Sequence, residues 1–254
     1  MSFHDSKAKE LAELYNGHSI AARLKLPFLV PVFPRPEAQW ELYAHQLNRA
    51  TMLVPDGDMK RVDLRLIVMI RDAQNMLAQN DIAVKDKVLM NGFSASGCFA
   101  LRFAIMHPDM VRAVAAGGFS SAPTLPTDKV DGTDVRYPVG ISDIKEEFGI
   151  DFNPDEYKKV SQYIFMGDKD DNDATLYRDS YEQEDADLIH GIIGRDMAAR
   201  WQKSQTVYRQ LGIPAQLVTY KGTGHEVPGY VWNDLYKFFE VNSGDGIVEI
   251  EHHE

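Results

Sequence analysis

Lys87-Val88-Leu89-Met90-Asn91-Gly92-Phe93-Ser94-Ala95-Ser96-Gly97 is an apolar run that ends in a glycine and a serine with small residues two places to either side. Lys87 to Asn91 has the length and composition of a buried strand. The residues after Gly97 have the apolar density of a helix, which His107-Pro108 stops. A sharp strand-to-helix turn with a serine at its apex lifts that side chain above the sheet. It also leaves the N–H of the next residue free at a helix N-terminus. Such a turn needs small residues two positions before and after the serine, and Gly92 and Ser96 meet that need. A serine hydroxyl is a poor nucleophile, so it has to be presented bare, beside a base and beside donors for an oxyanion. Ser94 is therefore the candidate nucleophile. The competing reading makes Ser94 and Ser96 caps of the helix that follows.

Two other serines are weaker candidates. Gly118-Phe119-Ser120-Ser121-Ala122 also surrounds a serine with small residues after a strand, but Pro123 and Pro126 follow it and bar a helix. Ser96 lies one step too far into the helix.

Outward from this turn the chain alternates strands and helices. On the N-terminal side, Leu26 to Phe33 reads as a buried strand closed by Pro34 and Pro36. Glu37 to Ala50 has helical spacing through Trp40, Tyr43, Ala44 and Leu47, Thr51 to Val54 reads as a short strand, and Val62 to Asn80 as an amphipathic helix. On the C-terminal side, Val111 to Ala116, Tyr163 to Met166 and Gln216 to Tyr220 read as strands. Arg195 to Leu211 and Val231 to Phe239 read as helices. Residues 122–158 lack steady periodicity and form an excursion over one end of the sheet. The expected fold is α/β: a doubly wound, mostly parallel sheet covered on both faces, in a single domain over residues 1–254 with an acidic tail at 243–254.

Gly222-Thr223-Gly224-His225 follows the last strand directly. Glycines there let a loop carry an imidazole over the C-terminal edge of the sheet, where ligands bind in open α/β folds. Of the 8 histidines, His225 is the one just beyond a predicted strand and downstream of Ser94, and it is the candidate base. His107 reads as a helix end, and His252 and His253 lie in the tail. An acid that orients the imidazole is expected where the preceding strand ends, in Gly167-Asp168-Lys169-Asp170-Asp171-Asn172-Asp173. Asp170 is favoured, with Asp168 and Asp171 as alternatives. Asp168, Asp170, Asn172 and Asp179 also match the first, third, fifth and twelfth positions of a calcium loop. Asp173 stands where that loop needs glycine, however, and the segment follows a strand, so no metal site is expected.

Composition narrows the remaining choices. The chain has 254 residues, 44% of them hydrophobic and 10% aromatic, enough for a sizeable core. With 27 basic and 38 acidic residues its formal charge is −11, which argues against a nucleic-acid partner or an anionic membrane surface. The single cysteine, Cys98, excludes an intramolecular disulfide. No apolar run is long enough for a membrane span, and Met1 to Glu10 does not read as a signal peptide, so a cytoplasmic location is expected.

The order Ser94, then Asp, then His225 is that of α/β-hydrolases. Over residues 26–240 the chain resembles that superfamily. Gly92 to Gly97 with Phe99, Arg102-Phe103, His107-Pro108 and Val111 to Gly118 is similar to the esterase and polyhydroxyalkanoate-depolymerase branch. The resemblance implies hydrolysis of a small-molecule ester through an acyl-serine intermediate, without a cofactor. Ala95 supplies the first oxyanion N–H. Two departures follow. The family's His-Gly after its first central strand is replaced by Phe33-Pro34-Arg35-Pro36; prolines carry no N–H, so Arg35 is the expected second donor and Phe33 its alternative. Residues 1–25 are also too few for the full set of leading strands. The sheet is thus expected to be shortened at the N-terminus or completed by another subunit in a homo-oligomer.

A carboxylic-ester hydrolase is the leading expectation. A thioesterase, peptidase or acyltransferase would use the same triad, and a non-catalytic binding protein on the same scaffold is the reading from a different class. Asp168 to Asp187, with Tyr177 and Tyr181, is a solvated loop or a border of the substrate entrance. In the latter case its charge disfavours anionic substrates.

Overall fold

In a computed structural model, residues 17–33 and 37–244 are described. The strands are β1 (Val88–Phe93), β2 (Val111–Gly117), the two-residue β3 (Lys129–Val130) and β4 (Thr133–Asp134), β5 (Ser161–Gly167) and β6 (Ala215–Tyr220). The helices are α1 (Gly17–Leu24), α2 (Arg49–Met52), α3 (Val62–Ala78), α4 (Ala95–Met106), α5 (Ile144–Phe148), α6 (Pro154–Tyr157), α7 (Gln183–Leu188), α8 (Met197–Gln210) and α9 (Gly229–Ser243).

The central sheet has the order β1-β2-β5-β6 with every pair parallel, while β3 and β4 form a separate antiparallel hairpin. Parallel strands need both faces covered, and β2 shows how this is met. Ala113 and Ala115 point to a layer formed by Ile20 and Leu24 of α1 with Val231, Leu235 and Phe238 of α9. Val114 and Ala116 point the other way, toward Leu66 and Ile70 of α3, Leu101 and Phe103 of α4, and Trp201 and Tyr208 of α8. Helix α4 is buried from Gly97 to Met106, as expected of a helix that is apolar on every side apart from Arg102. A fully buried Phe103 or Leu101 contributes about 1.5–3 kcal/mol through the apolar area it removes from water. Among the described residues no helix is long and apolar enough to cross a membrane.

The strands and helices expected from Val62 onward match within a few residues, α7 falls where the sequence suggests an acidic loop, and the elements expected before Val62 do not form. Leu26–Phe33 forms no strand. Its Leu26, Phe28, Leu29 and Val32 are exposed, because Pro27 and Pro31 inside the run cannot donate to a ladder. Glu37–Ala50 is not one helix but two 3₁₀ turns, Glu37–Gln39 and Ala44–Gln46, stopped by Leu47 in the left-handed region at φ 53°. Thr51–Val54 is not a strand. Asn48 caps a helical turn there, its side chain accepting from Thr51 N at 2.9 Å, and Thr51 falls inside α2. The central sheet therefore has four strands among the described residues, where the sequence suggested six.

The irregular excursion at 122–158 contains the β3–β4 hairpin, α5 and α6, and buries Val130, Val135, Tyr137 and Ile144. Arg49 of α2 ties it to the leading segment. Its guanidinium meets Asp143 at 2.5 Å and Glu147 at 2.9 Å, and donates to the Tyr137 carbonyl at 3.1 Å.

Candidate active site

Ser94 sits between β1 and α4 at φ 60°, ψ −128°, a backbone conformation that is unfavourable for any residue with a side chain. Four features hold it there. Ser94 N–H donates to the Gly117 carbonyl at 2.9 Å, and Cys98 N–H closes the first helical turn on the Ser94 carbonyl at 3.1 Å. Ser96 hydroxyl accepts from Phe93 N–H at 3.0 Å and donates to Phe93 C=O at 2.8 Å, so it laces the turn. A Cβ on Gly92 would lie 2.1 Å from the Ser96 carbonyl oxygen, so that position admits only glycine. Ala95 N–H is among the first-turn donors that a helix leaves without an intrahelical acceptor, and the helix dipole there favours negative charge.

The other two residues arrive on loops that run side by side from the ends of β5 and β6. Asp168 N–H donates to the Tyr220 carbonyl at 3.0 Å, and Lys169 N–H to the Thr223 carbonyl at 2.9 Å. A Cβ on Gly167 would stand 2.1 Å from the Thr223 oxygen, so this approach depends on glycine. The pairing sets His225 Nδ1 3.1 and 3.0 Å from the two carboxylate oxygens of Asp170, and His225 Nε2 3.0 Å from Ser94 Oγ. The Asp170 side chain is fully buried and that of His225 is 26% exposed. Phe93 supports the imidazole from the side, with ring centroids 4.8 Å apart. A carboxylate only accepts, so Nδ1 of the neutral ring carries the proton and Nε2 presents its lone pair to the serine.

Of the three candidate acids, Asp170 is the one that faces the imidazole. Asp168 accepts from Gly222 N–H at 2.6 Å, which fastens the two loops, and Asp171 is exposed. The calcium-loop spacing does not assemble a site, because Asp168 accepts from Gly222 N–H while the Asp170 and Asn172 side chains face the two nitrogens of His225. Among the described residues no group of three or more His, Cys, Asp or Glu is arranged to hold a metal ion.

Asp173 pairs with the fully buried Arg200 of α8 at 2.8 Å. Arg200 also donates to Thr175 Oγ1 at 2.9 Å and to the carbonyls of Gly194 at 2.8 Å and Arg195 at 3.1 Å. Burial pushes the Asp173 carboxyl up, but hydrogen bonds from Arg200 and Thr175 pull harder and leave it below its ordinary value. Neither Arg200 nor Asn172 was singled out as a contributor to the catalytic site from the sequence. Asn172 donates through its backbone N–H to Asp170 Oδ1 at 3.1 Å, and its side-chain Nδ2 lies 3.2 Å from His225 Nε2. Its place two residues after the favoured acid was the available signal.

The remaining candidates fall elsewhere. Ser120 is buried and accepts from Gln46 Nε2 at 2.9 Å. His107 bonds the buried Asp63 at 2.9 Å, joining α4 to α3. Tyr177 is exposed, whereas Tyr181 is buried. Burial raises the Tyr181 hydroxyl to about 12 despite the nearby Arg102. Arg35, the expected second oxyanion donor, lies outside the described residues. Phe33, its alternative, is buried with its ring stacked on Phe99 of α4 at 5.8 Å.

A parallel sheet covered on both faces, a serine turn after one strand, an acid after the next-but-one and a histidine after the last form the α/β-hydrolase arrangement. No family model and no curated protein matches the chain. Among solved structures it is similar to poly(aspartic acid) hydrolase-1 from Sphingomonas sp. KT-1, at 17% identity and a TM-score of 0.48 over 77% of this chain and 67% of that one. It is also similar to the siderophore hydrolase EstB from Aspergillus nidulans, at 13% and 0.42 over 83% of this chain and 65% of that one. For SOBER1 from Arabidopsis thaliana the values are 13% and 0.37, over 70% and 65%. The chain thus spans less than two thirds of the fungal and plant proteins. At these identities and scores the likenesses add nothing to the site's own geometry.

Proposed function

We propose that this protein is a serine hydrolase that cleaves a small-molecule carboxylic ester through an acyl-serine intermediate. The observation that carries this reading is the relay from Ser94 Oγ through His225 to the buried Asp170 carboxylate, with hydrogen bonds of 3.0, 3.0 and 3.1 Å. Ser94 Oγ attacks the acyl carbon while its proton passes to His225 Nε2, and the former carbonyl oxygen takes the electron pair. Asp170 stabilises the imidazolium so formed. Ala95 N–H holds the oxyanion, with Arg35 N–H as the proposed second donor. Collapse of this intermediate breaks the C–O bond to the alcohol, which leaves with the Nε2 proton. Water, deprotonated by the same nitrogen, then releases the acid and restores Ser94. Side chains handle every proton in this scheme, so it calls for no cofactor.

Ser94→Ala is expected to reduce turnover of short p-nitrophenyl esters by at least about 10³-fold, the scale on which loss of a triad nucleophile acts. A fluorophosphonate probe is expected to label Ser94 in the wild-type chain and to fail after His225→Ala. Full esterase activity in pure Ser94→Ala protein would overturn the proposal.

A further inference from the structure

His225 Nε2 has one in-plane lone pair, yet two donors converge on it: Ser94 Oγ at 3.0 Å and Asn172 Nδ2 at 3.2 Å. The first contact belongs to the triad. The second is occupied in the resting molecule by a residue for which the scheme above has no role. If Ser94 is the nucleophile and His225 its base, the proton taken from Ser94 must be handed from Nε2 to the departing oxygen. That oxygen must come within about 2.6–3.2 Å of Nε2 to receive it. One approach to Nε2 is filled by Ser94, now acylated, and the other is where the Asn172 carboxamide stands.

From this geometry we propose that Asn172 is the leaving-group contact of the enzyme. Its carboxamide yields its place beside Nε2 to the departing alkoxide oxygen and donates an Nδ2–H to that oxygen as the C–O bond breaks. The inference rests on the serine-hydrolase reading and deepens it. Asn172 is half-buried and its backbone is held on both sides. Its own N–H is bonded to Asp170 Oδ1 at 3.1 Å, and the next residue is clamped by Arg200 at 2.8 Å. The backbone there is therefore held while the carboxamide turns aside about its own side-chain bonds as the substrate arrives. A donor placed there gains strength as negative charge builds on the oxygen, so it favours the transition state over the bound ester. The gain is largest for a poor leaving group such as an alkoxide and small for p-nitrophenolate, which carries its own charge well. Asn172 thus sets the range of alcohols the enzyme can release.

The test compares ethyl and p-nitrophenyl esters of the same short acid with wild type, Asn172→Ala and Asn172→Leu, following kcat/KM and fluorophosphonate labelling of Ser94. In Asn172→Ala, kcat/KM for the ethyl ester is expected to fall at least about tenfold more than for the p-nitrophenyl ester, the worth of one charge-assisted hydrogen bond. Labelling of Ser94 is expected to continue in the variant. Asn172→Leu keeps the approximate shape, adds no charge beside Nε2 and removes the donor, and the same selective loss is expected. An equal fall for both esters with labelling intact overturns the inference and leaves the hydrolase reading standing. So does an equal rise, which would mean that the amide only competes for the lone pair. Wild-type protein that takes no label overturns both.

Discussion

Ser94 and Asp170 meet the same histidine, but the molecule holds them by different means. Around Ser94 the constraints lie mainly in the backbone, beside the lacing Ser96 hydroxyl: a positive φ, the carbonyl of Gly117 accepting from Ser94 N–H at 2.9 Å, and no space for a Cβ at Gly92. Around Asp170 no strand or helix is present between the end of β5 at Gly167 and the start of α7 at Gln183. Backbone bonds from Asp168 and Lys169 join its start to the loop after β6, and further along side chains carry most of the fastening. Asp168 holds Gly222, Asp173 and Thr175 hold Arg200, and Asn48 donates to the Asp179 carbonyl at 2.8 Å. A backbone device fails abruptly when a single atom is added, because the carbonyl in its way belongs to the turn itself. A side-chain clamp shares its load and loosens by degrees.

The comparison is tested most severely at Gly92. In Gly92→Ala the new methyl would meet the Ser96 carbonyl oxygen at 2.1 Å. The turn must open to relieve it, which costs about 3 kcal/mol by analogy with overpacking. Displacing Ser94 Oγ by about 1 Å from the imidazole lowers ester turnover about 100-fold or more. Urea unfolding and kcat/KM for a p-nitrophenyl ester measure the two effects. An Ala variant with wild-type activity would show that the turn is more pliant than its geometry implies. The matching change in the clamp is Arg200→Met, which keeps the buried volume but removes the bonds to Asp173, Thr175, Gly194 and Arg195. Its expected loss is about 2–3 kcal/mol, since hydrogen bonds to a charged group are lost while Asp173 can still turn to solvent. Turnover should fall only about tenfold, through looser placement of Asp170 rather than its loss. If Arg200→Met abolished activity as Gly92→Ala does, the two regions would not differ in the way described.

The same contrast explains which parts were legible in the sequence. Ser94 was found because a backbone device leaves a local signature: small residues at fixed offsets between a strand and a helix. His225 was found because glycines mark the loop after β6. Asp170 could be ranked above its neighbours only by position, since three aspartates within four residues offer the same chemistry and only the fold decides which one turns inward. Arg200 left no signal at all. A buried arginine on α8 looks in sequence like any polar residue of an amphipathic helix, and its partners lie 25 and 27 residues away at Thr175 and Asp173. The errors before Val62 have a related cause. Apolar spacing in 26–54 suggests strands and a helix, but Pro27 and Pro31 cannot donate to a ladder and Asn48 caps a helical turn, and these three residues are the local signals that outweigh it.

The smallest and most discriminating effect concerns pH. The Asp173 carboxyl is raised by burial but lowered further by its bonds to Arg200 and Thr175, for a net shift below its ordinary value. A carboxylate depressed in the folded state contributes stability that is fully present above its unfolded value, about pH 4, and is lost as pH falls through the folded value. The side chain is 35% exposed, so solvent screening keeps the contribution under about 1 kcal/mol. Asp173→Asn should therefore be less stable than wild type by that amount at pH 7, and the difference should shrink as the pH is taken below 4. Gly92 to Gly97 contains no titratable side chain, so the deficit of Gly92→Ala should be the same at both pH values. Urea titrations of the three proteins at pH 7 and pH 3 make the comparison. A deficit of Asp173→Asn that persists undiminished at pH 3 would mean that the loop is held by the shape of its hydrogen bonds rather than by charge, and the clamp would then resemble the turn more closely than its residues suggest.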